Sequence, residues 1–236
     1  MKNTYIFILS CLIWLSNVPA MGQNRFISEE IKISWYSRTA LQFSNVQGSY
    51  SKKESKPVLK SGPAFGGFFS VAINDYLHVE PGISFSIKGS RVKPDYTTVI
   101  TTDEQSVSIH EKGLLKTDLY YVEWPIMVTY KMESKVTLGA GIYGAMLMKA
   151  RYADNRTIST VNNGNLTITE INNQSSDIGD FTKTDAGILI SAGYLLRDGL
   201  EISGFYSKGL MDVKDPKSEF TNISFGLALS CRLQQF

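Results

Sequence analysis

Ionisable side chains fall on one face of several segments in which apolar and polar residues alternate. The set comprises Lys32, Arg38, His78, Glu80, Lys88, Glu123, Lys149, Glu201 and Arg232. Acids and bases confined to a narrow interior can neutralise one another as ion pairs. They can also line a gated ion path or a small-ligand site. The sequence favours pairing and leaves the other two uses open.

Six of these residues are predicted to form a polar network. They are Arg38, His78, Glu80, Glu123, Glu201 and Arg232. Glu80 and Glu123 belong to segments that we expect to be neighbours, so the two carboxylates are predicted to share one basic partner, with Arg38 and Arg232 as the candidates.

Enzymatic chemistry finds little support in the sequence. The chain has two histidines, His78 and His110, and neither lies at a meaningful spacing from an identifiable nucleophile. Two distant histidines without clustered cysteines do not make a metal site. The glycines do not form a phosphate-binding motif. The sequence therefore predicts no catalytic residue, no metal and no cofactor.

The segment at residues 119 to 131 indicates what kind of element holds these charges. One face is apolar, and it consists of Tyr120, Val122, Trp124, Ile126, Val128 and Tyr130. Aromatics near both ends are typical of a strand that crosses a bilayer, so Tyr120, Trp124 and Tyr130 are predicted to lie at the membrane interfaces. Glu123 on the opposite face would be costly against lipid and is expected to point into a polar lumen.

The same two-residue period recurs along the chain. It is found at residues 31–36, 65–73, 77–88, 136–149, 186–196, 200–210 and 223–233. Tight turns near residues 74, 133 and 198 alternate with long polar segments. These segments are 43–61, 91–116, 152–182 and 212–219, of which 91–116 could extend the strands as a hairpin above the membrane. Strict alternation of this kind predicts an up-and-down arrangement of eight strands.

The N-terminal residues resemble a secretion signal. Lys2 supplies a positive start, an apolar run follows, and the small residues Ala20 and Gly22 suit cleavage before Gln23. We therefore expect a signal peptide at residues 1–22 and a barrel domain at residues 23–236. After the signal only Cys231 remains, so no internal disulfide is predicted.

These patterns predict an all-β fold: an eight-stranded antiparallel transmembrane up-and-down β-barrel with short periplasmic turns and long extracellular loops. The alternative is a soluble sandwich or lipocalin-like barrel, which would bury its apolar face and rarely needs aromatics at both ends of it. The net charge of +2 leaves no basic footprint for nucleic acid. The expected location is the outer membrane of a Gram-negative bacterium.

Residues 121 to 131 also resemble a known family. They are similar to the Tyr-Leu-Glu-Ile-Pro-Leu stretch, closing in Lys-Tyr-Lys-Phe, of the PorT-like outer-membrane β-barrel proteins of the Bacteroidetes. Further similar stretches lie at residues 77–89, 139–144, 185–187 and 206–210. The resemblance covers nearly the whole chain after the signal. It implies an eight-stranded outer-membrane barrel, and a role in protein secretion for only a few members.

Several partners follow as expectations. Outer-membrane lipids and lipopolysaccharide should surround the barrel, and Lys52, Lys53, Lys56 and Lys60 could meet lipopolysaccharide phosphates. The barrel-assembly machinery often reads a terminal aromatic, but Phe236 falls on the face of Arg232 unless a bulge between Leu233 and Phe236 restores its phase. Secretion-system proteins are possible partners that the resemblance implies.

The expected function is a structural, adhesive or secretion-accessory role in the outer membrane, without enzymatic activity. A narrow channel for ions or small solutes is the alternative. A lipid-modifying outer-membrane enzyme is the third reading, because some small barrels use histidine with serine or a carboxylate near the outer rim.

Overall fold

A computed structural model describes residues 32–47, 55–102, 105–162, 165–176, 179, 181–213 and 221–236. Ten strands lie within these residues: β1 (Ile33–Gln47), β2 (Ser55–Val58), β3 (Lys60–Ala72), β4 (Leu77–Thr102), β5 (Gln105–Lys131), β6 (Val136–Asn162), β7 (Asn165–Ser175), β8 (Thr184–Arg197), β9 (Leu200–Asp212) and β10 (Thr221–Gln235). No helix in the described part of the chain has the length and hydrophobicity to cross a membrane. The predicted signal peptide, and most of the predicted loop at 212–219, lie outside the described residues.

Eight of these strands close into an antiparallel ring. Around the ring the order is β1, β3, β4, β5, β6, β8, β9 and β10. The ring closes where β10 pairs with β1, from Ser34 opposite Gln235 to Gln47 opposite Thr221. Closure satisfies the backbone hydrogen bonds of every ring strand on both sides, which is the condition for crossing lipid. The predicted eight-stranded barrel is confirmed.

The three short turns lie where the sequence predicts them. Asn74 lies in the turn after β3. Its Oδ1 accepts hydrogen bonds from the backbone N–H groups of Tyr76 and Leu77, at 3.0 and 2.8 Å. The turn after β5 places Lys135 at φ +67°, and the turn after β8 places Gly199 at φ +75°. Glycine adopts that left-handed conformation without a Cβ penalty.

The ring is apolar outside and polar inside. Ile126 and Leu227 are 51% and 64% exposed on the outer surface, whereas inward-facing Ser86 and Ser230 are fully buried. Small serines suit the interior because eight strands enclose a space just wide enough for side chains. This inside-out pattern separates the protein from a soluble barrel, as the sequence predicts.

Two bulges alter the predicted faces. Tyr120 pairs with Lys149 and Tyr121 with Leu147, so Met148 is an extra residue in β6. The prediction that Lys149 points into the lumen is wrong, because this bulge shifts the phase and leaves Lys149 exposed.

The second bulge lies near the C-terminus, where Trp35 pairs with Gln234 and Tyr36 with Arg232. Leu233 is therefore the extra residue, close to the position expected from the sequence. After it, Phe236 exchanges backbone hydrogen bonds with Ile33. Gln234 pairs with Trp35 and therefore points outward, as Trp35 does. Phe236 is two residues further along the strand, so it points outward as well, and it is 66% exposed. The terminal aromatic thus returns to the outer face.

Beyond the barrel, β4, β5 and β6 continue as an extracellular sheet. Their extensions pair with each other, and β2 and β7 add to the two sides, which gives the order β2, β4, β5, β6, β7. The hairpin expected at residues 91–116 is confirmed. The prediction of a loop at 152–182 is wrong for most of its length. Its β-branched threonines and isoleucines continue the register of β6 and form β7.

Candidate functional site

The periplasmic half of the lumen is filled by a polar cluster around Glu80. This carboxylate is 6% exposed and accepts hydrogen bonds from the hydroxyls of Ser70 and Thr129 at 3.1 and 3.0 Å. Lys131 lies 3.5 Å from it and completes the charge balance. His78 Nδ1 lies 3.1 Å from Ser70 Oγ, so the histidine is hydrogen-bonded within the same cluster. Burial of Glu80 is tolerated because both of its oxygens are satisfied.

Arg38 lies on β1, which pairs with β3, the strand that carries Ser70. Its Nε donates to Ser230 Oγ at 3.0 Å, and its guanidinium lies 4.3 Å from the centre of the Phe68 ring. Phe68 in turn stacks on Tyr36 with a centroid distance of 5.0 Å. A guanidinium over an aromatic face gains cation–π attraction in addition to the hydrogen bond. Glu201, on β9, is the other acid close enough to Arg38 to interact with its charge.

The extracellular half of the lumen holds a second charge pair. Lys88 Nζ lies 2.6 Å from Glu123 Oε1, and Ser86 Oγ donates to the same oxygen at 2.7 Å. The Lys88 side chain is 2% exposed and also lies 4.5 Å from the centre of the Tyr143 ring. Glu123 points inward, as its cost against lipid predicts.

A further network lies beside this pair. Tyr143 donates its hydroxyl hydrogen to Asp185 Oδ2 at 3.2 Å, and Asn222 Nδ2 donates to the same oxygen at 3.0 Å. Asn222 also donates to the Tyr121 hydroxyl at 3.3 Å. Two tyrosines, an acid and an amide from four strands are thereby fixed to one another across the interior.

Apolar side chains close the lumen above these polar groups. Leu119 and Ala150 are fully buried, Leu147 and Val213 are nearly so, and Phe181 packs against the group. Between Arg38 and Lys88 a cavity of about 90 Å³ remains. It can hold a small number of water molecules, whereas pockets for small ligands typically span about 300–1,000 Å³. The described part of the barrel therefore has a packed interior, in which this cavity is too small for a typical ligand.

Arg232 lies at the periplasmic rim, apart from the lumen clusters. Its Nη2 donates to Asp198 in the turn between β8 and β9. Glu80 pairs with Lys131 and Glu123 with Lys88, so the prediction that the two carboxylates share Arg38 or Arg232 is wrong. The lysines reach them from within β4 and β5, which contact each other directly.

The predicted aromatics lie on the outer surface at three different heights along β5, with Trp124 between Tyr120 and Tyr130. Trp124 and Tyr130 are each 45% exposed among aliphatic neighbours. Tyr120 lies on the same face at the extracellular end, 6.3 Å from Phe85 and 5.6 Å from the guanidinium of Arg151. Tyrosine next to a cation is typical of the boundary between hydrocarbon and headgroups.

The face of the extracellular sheet that continues the lumen surface has its own ion cluster. Arg156 donates from Nε and Nη2 to the two oxygens of Asp154, both at 2.6 Å, and from Nη1 to Glu111 at 2.6 Å. The two carboxylates raise the pKa of Arg156 above its usual value. Tyr96 also donates to Glu111. This fork geometry joins β4, β5 and β6 above the membrane.

The side of this sheet formed by β7 is open. Among the described strands, β7 pairs with β6 alone. Ten of its eleven residues are exposed, including Leu166 and Ile168 at 60% and 59%. Its second row of backbone N–H and C=O groups therefore faces away from the sheet.

Comparison with known families agrees with this architecture. The model of a family described as the outer-membrane protein β-barrel domain matches residues 21–215, which is most of the 236 residues. The chain belongs to this outer-membrane β-barrel family. The protein is therefore a small barrel of the Gram-negative outer membrane. No curated protein matches its sequence.

Solved structures similar to this outer-membrane barrel have low sequence identity to it. Neisserial surface protein A is 11% identical, with 86% of this chain and 100% of that chain covered and a TM-score of 0.45. Ail of Yersinia pestis is 12% identical, with 88% and 100% covered and a TM-score of 0.43. OprG of Pseudomonas aeruginosa is 10% identical, with 87% and 95% covered and a TM-score of 0.31.

Sequence reasoning about this outer-membrane barrel missed several interior residues. The alternation at residues 136–149 does not indicate that Tyr143 donates to Asp185, or that Asn222 donates to the same carboxylate. Alternation places a residue on a face without saying which strands curve toward it. In the described residues, no group of three or more metal-ligating side chains comes together. His110 is exposed on the extracellular sheet, beside Thr97 at 3.0 Å.

Proposed function

We propose that this protein is a closed, non-enzymatic outer-membrane barrel that presents its extracellular sheet as a protein-binding surface, in an adhesive or secretion-accessory role. The observation that carries the proposal is the long open side of β7. The packed lumen supports it, because charges that are paired and capped by apolar side chains stabilise the barrel rather than conduct.

The two sides of the extracellular sheet differ in a way that favours binding at β7. Strand β2 is four residues long and contains Pro57 next to Lys56. Short length and a proline are devices that discourage pairing with another chain. Strand β7 is eleven residues long, has no proline or lysine, and pairs with β6 without a bulge. An unprotected side of this length favours the addition of a strand from another protein.

The chemistry of β7 defines the partner. Leu166 and Ile168 share one face with Glu170, which is the one charged residue of the strand. An added strand would fit with apolar side chains beside the first two and a basic side chain beside the third. The partner is therefore an extended protein segment with alternating apolar residues and a lysine or arginine.

A synthetic peptide that alternates valine and threonine, with one lysine, serves as the probe. We expect it to bind the refolded protein and to slow amide hydrogen exchange at residues 165–175. Substituting Thr167→Lys and Thr169→Lys should abolish that protection, since two inserted charges repel an incoming strand. The matched control is Ile158→Lys with Thr160→Lys, which places the same charges on the same face but on β6, directly opposite Thr169 and Thr167 and flanked by β5 and β7.

The outcomes separate the alternatives. Protection that is lost in the β7 variant and kept in the control supports strand addition. Equal protection in both variants, or none in the unmodified protein, contradicts it.

A narrow channel is the second candidate, and planar-bilayer recordings test it directly. The filled lumen and its cap predict no discrete conductance steps. A PorT-like role in secretion rests on the resemblance at residues 121 to 131 and stays a prediction, which a secretion screen of a deletion strain would check. Unchanged lipid A in that strain is the expected result for a protein without enzymatic activity.

A further inference from the structure

Two lysines contact one carboxylate just above the barrel, and an arginine lies beside them. Asp118 lies 3.2 Å from Lys60 Nζ through Oδ1 and 3.1 Å from Lys116 Nζ through Oδ2. Arg91 lies directly opposite Lys116 in the pairing of β4 with β5. Like charges placed opposite each other destabilise a sheet. Lys60, Arg91, Lys116 and Asp118 together carry an excess charge of about +2, and Arg151, opposite Asp118 on β6, adds a further positive charge beside them.

Arg91 provides a second, independent indication of a ligand. Its Nε is buried and has no hydrogen-bond partner among the described residues. Leaving a buried charged donor unpaired is costly, so such groups normally meet an acceptor. An anion placed between Arg91 and Lys116 would supply one.

The height of the cluster indicates where that anion comes from. Arg91 and Lys116 alternate with Val92 and Leu115 and so lie on the outer face of the sheet, the face that is lipid-facing lower down. Asp118, opposite Arg151, is two residues beyond Tyr120, where the apolar surface ends. The cluster is therefore at the level of the headgroups of the outer leaflet.

We propose that Arg91 and Lys116, with the buried Lys60 behind them, form a site for the phosphate monoester of an outer-leaflet glycolipid, which in this membrane is the phosphate of lipopolysaccharide. A phosphate monoester carries about −1.5 to −2 charges near pH 7, close to the excess of the cluster. The planar fork of Arg91 suits two phosphate oxygens, and the lysines act as point charges. Of the four lysines that the sequence associates with lipopolysaccharide, Lys60 belongs to the site. The side chains of the other three lie outside the described residues.

Native mass spectrometry of the detergent-solubilised protein tests the site with bisphosphorylated lipid A as the probe. Arg91→Ala with Lys116→Ala should weaken retention of that lipid by at least about tenfold, since both substitutions remove charged donors that would bond to the phosphate. Lys93→Ala with Lys112→Ala is the matched control. It removes the same charge from the same two strands, farther from the membrane, and should keep most of the binding.

A further variant and two further ligands identify what binds. The further variant should gain binding, which a folding defect would not produce. Asp118→Asn removes the acid from the site and should strengthen retention of bisphosphorylated lipid A. Fully dephosphorylated lipid A should bind weakly to every variant, and millimolar inorganic phosphate should compete poorly.

Four results would overturn the proposal. These are equal loss in the site variant and its control, weaker binding by Asp118→Asn, retention of the dephosphorylated lipid, and complete displacement by inorganic phosphate. The last would assign the site to free phosphate. Heat-modifiable gel mobility confirms that each variant is folded.

Discussion

Strands β5 and β6 pass through two environments, and their side chains change character at Tyr120. Below it, outward residues such as Ile126 meet lipid while Glu123 is held in the lumen by Lys88 at 2.6 Å. Above it, both faces of the same strands meet water. The Arg156 cluster there remains 26% exposed at the arginine side chain, and the far side of β7 is unpaired within the described strands.

The difference shows that lipid and water impose separate demands on one continuous sheet. In the barrel every backbone group must be paired internally and every buried charge compensated. Above the membrane, water satisfies open backbone groups, so β7 can end the sheet without a partner strand. Stability therefore depends mainly on the barrel, and the extracellular sheet is freer to bind other molecules.

The largest expected effect comes from unpairing a lumen charge. Lys88→Met should cost about 3–5 kcal/mol of unfolding free energy, because it leaves Glu123 buried without its cation. Equilibrium unfolding in detergent, followed by tryptophan fluorescence, measures the change. The double variant Lys88→Met with Glu123→Met removes both charges and should recover most of the loss. A cost below about 1 kcal/mol for the single variant is what exposed ion pairs show. It would contradict the difference proposed between the lumen and the extracellular sheet.

A second pair of substitutions compares the two environments on the outer face. Ile126 and Val99 are 51% and 58% exposed, but the first faces lipid and the second water. Ile126→Arg should cost about 2–4 kcal/mol, as expected for arginine near the bilayer midplane. Val99→Arg should change stability by no more than about 0.5 kcal/mol. Refolding into vesicles followed by urea titration gives both values. Equal costs would mean that Ile126 does not face hydrocarbon.

A smaller effect is expected in the extracellular ion cluster. Glu111→Gln removes one of the two carboxylates that bind Arg156, while Asp154 remains bonded to two of its nitrogens. Because the pair is partly exposed, the loss should be about 1 kcal/mol or less. Amide exchange of the β4 and β5 hairpin reports it locally. If Glu111→Gln lost as much stability as Lys88→Met, charges on the extracellular sheet would need compensation as strictly as those in the lumen.

The smallest effect concerns pH. The pKa of Arg156 is raised by Asp154 and Glu111. A base whose folded pKa lies above its unfolded value keeps its full contribution below the unfolded pKa and loses it only as pH rises through the folded one. Between about pH 7 and about pH 10 that contribution should stay constant, since the unfolded pKa of arginine lies well above this range. Exchange rates of the hairpin, corrected for the intrinsic effect of pH, should therefore not change.

Much of the barrel follows from the sequence because its faces are so different. Alternation alone assigns Trp124 to lipid and Tyr121 to the lumen, and Asn74 and Gly199 mark turns through their local chemistry. Two kinds of feature escape that reasoning. A bulge such as Met148 depends on the partner strand, so the phase of Lys149 cannot be obtained from β6 alone. The length of β7 depends on the register with β6, although its composition is that of a polar loop.

The order of residues by itself determined the number of membrane-crossing strands, their turns and the inward position of the charges, because each of these rests on local alternation and turn chemistry. Only the folded ring decided which charges meet, since Lys88 and Glu123 are 35 residues apart and their pairing depends on the stagger between β4 and β5. The ring also decided that the lumen is capped and that, among the described strands, β7 pairs on one side alone. Both depend on how distant strands curve around a common axis, which is information that no single strand contains.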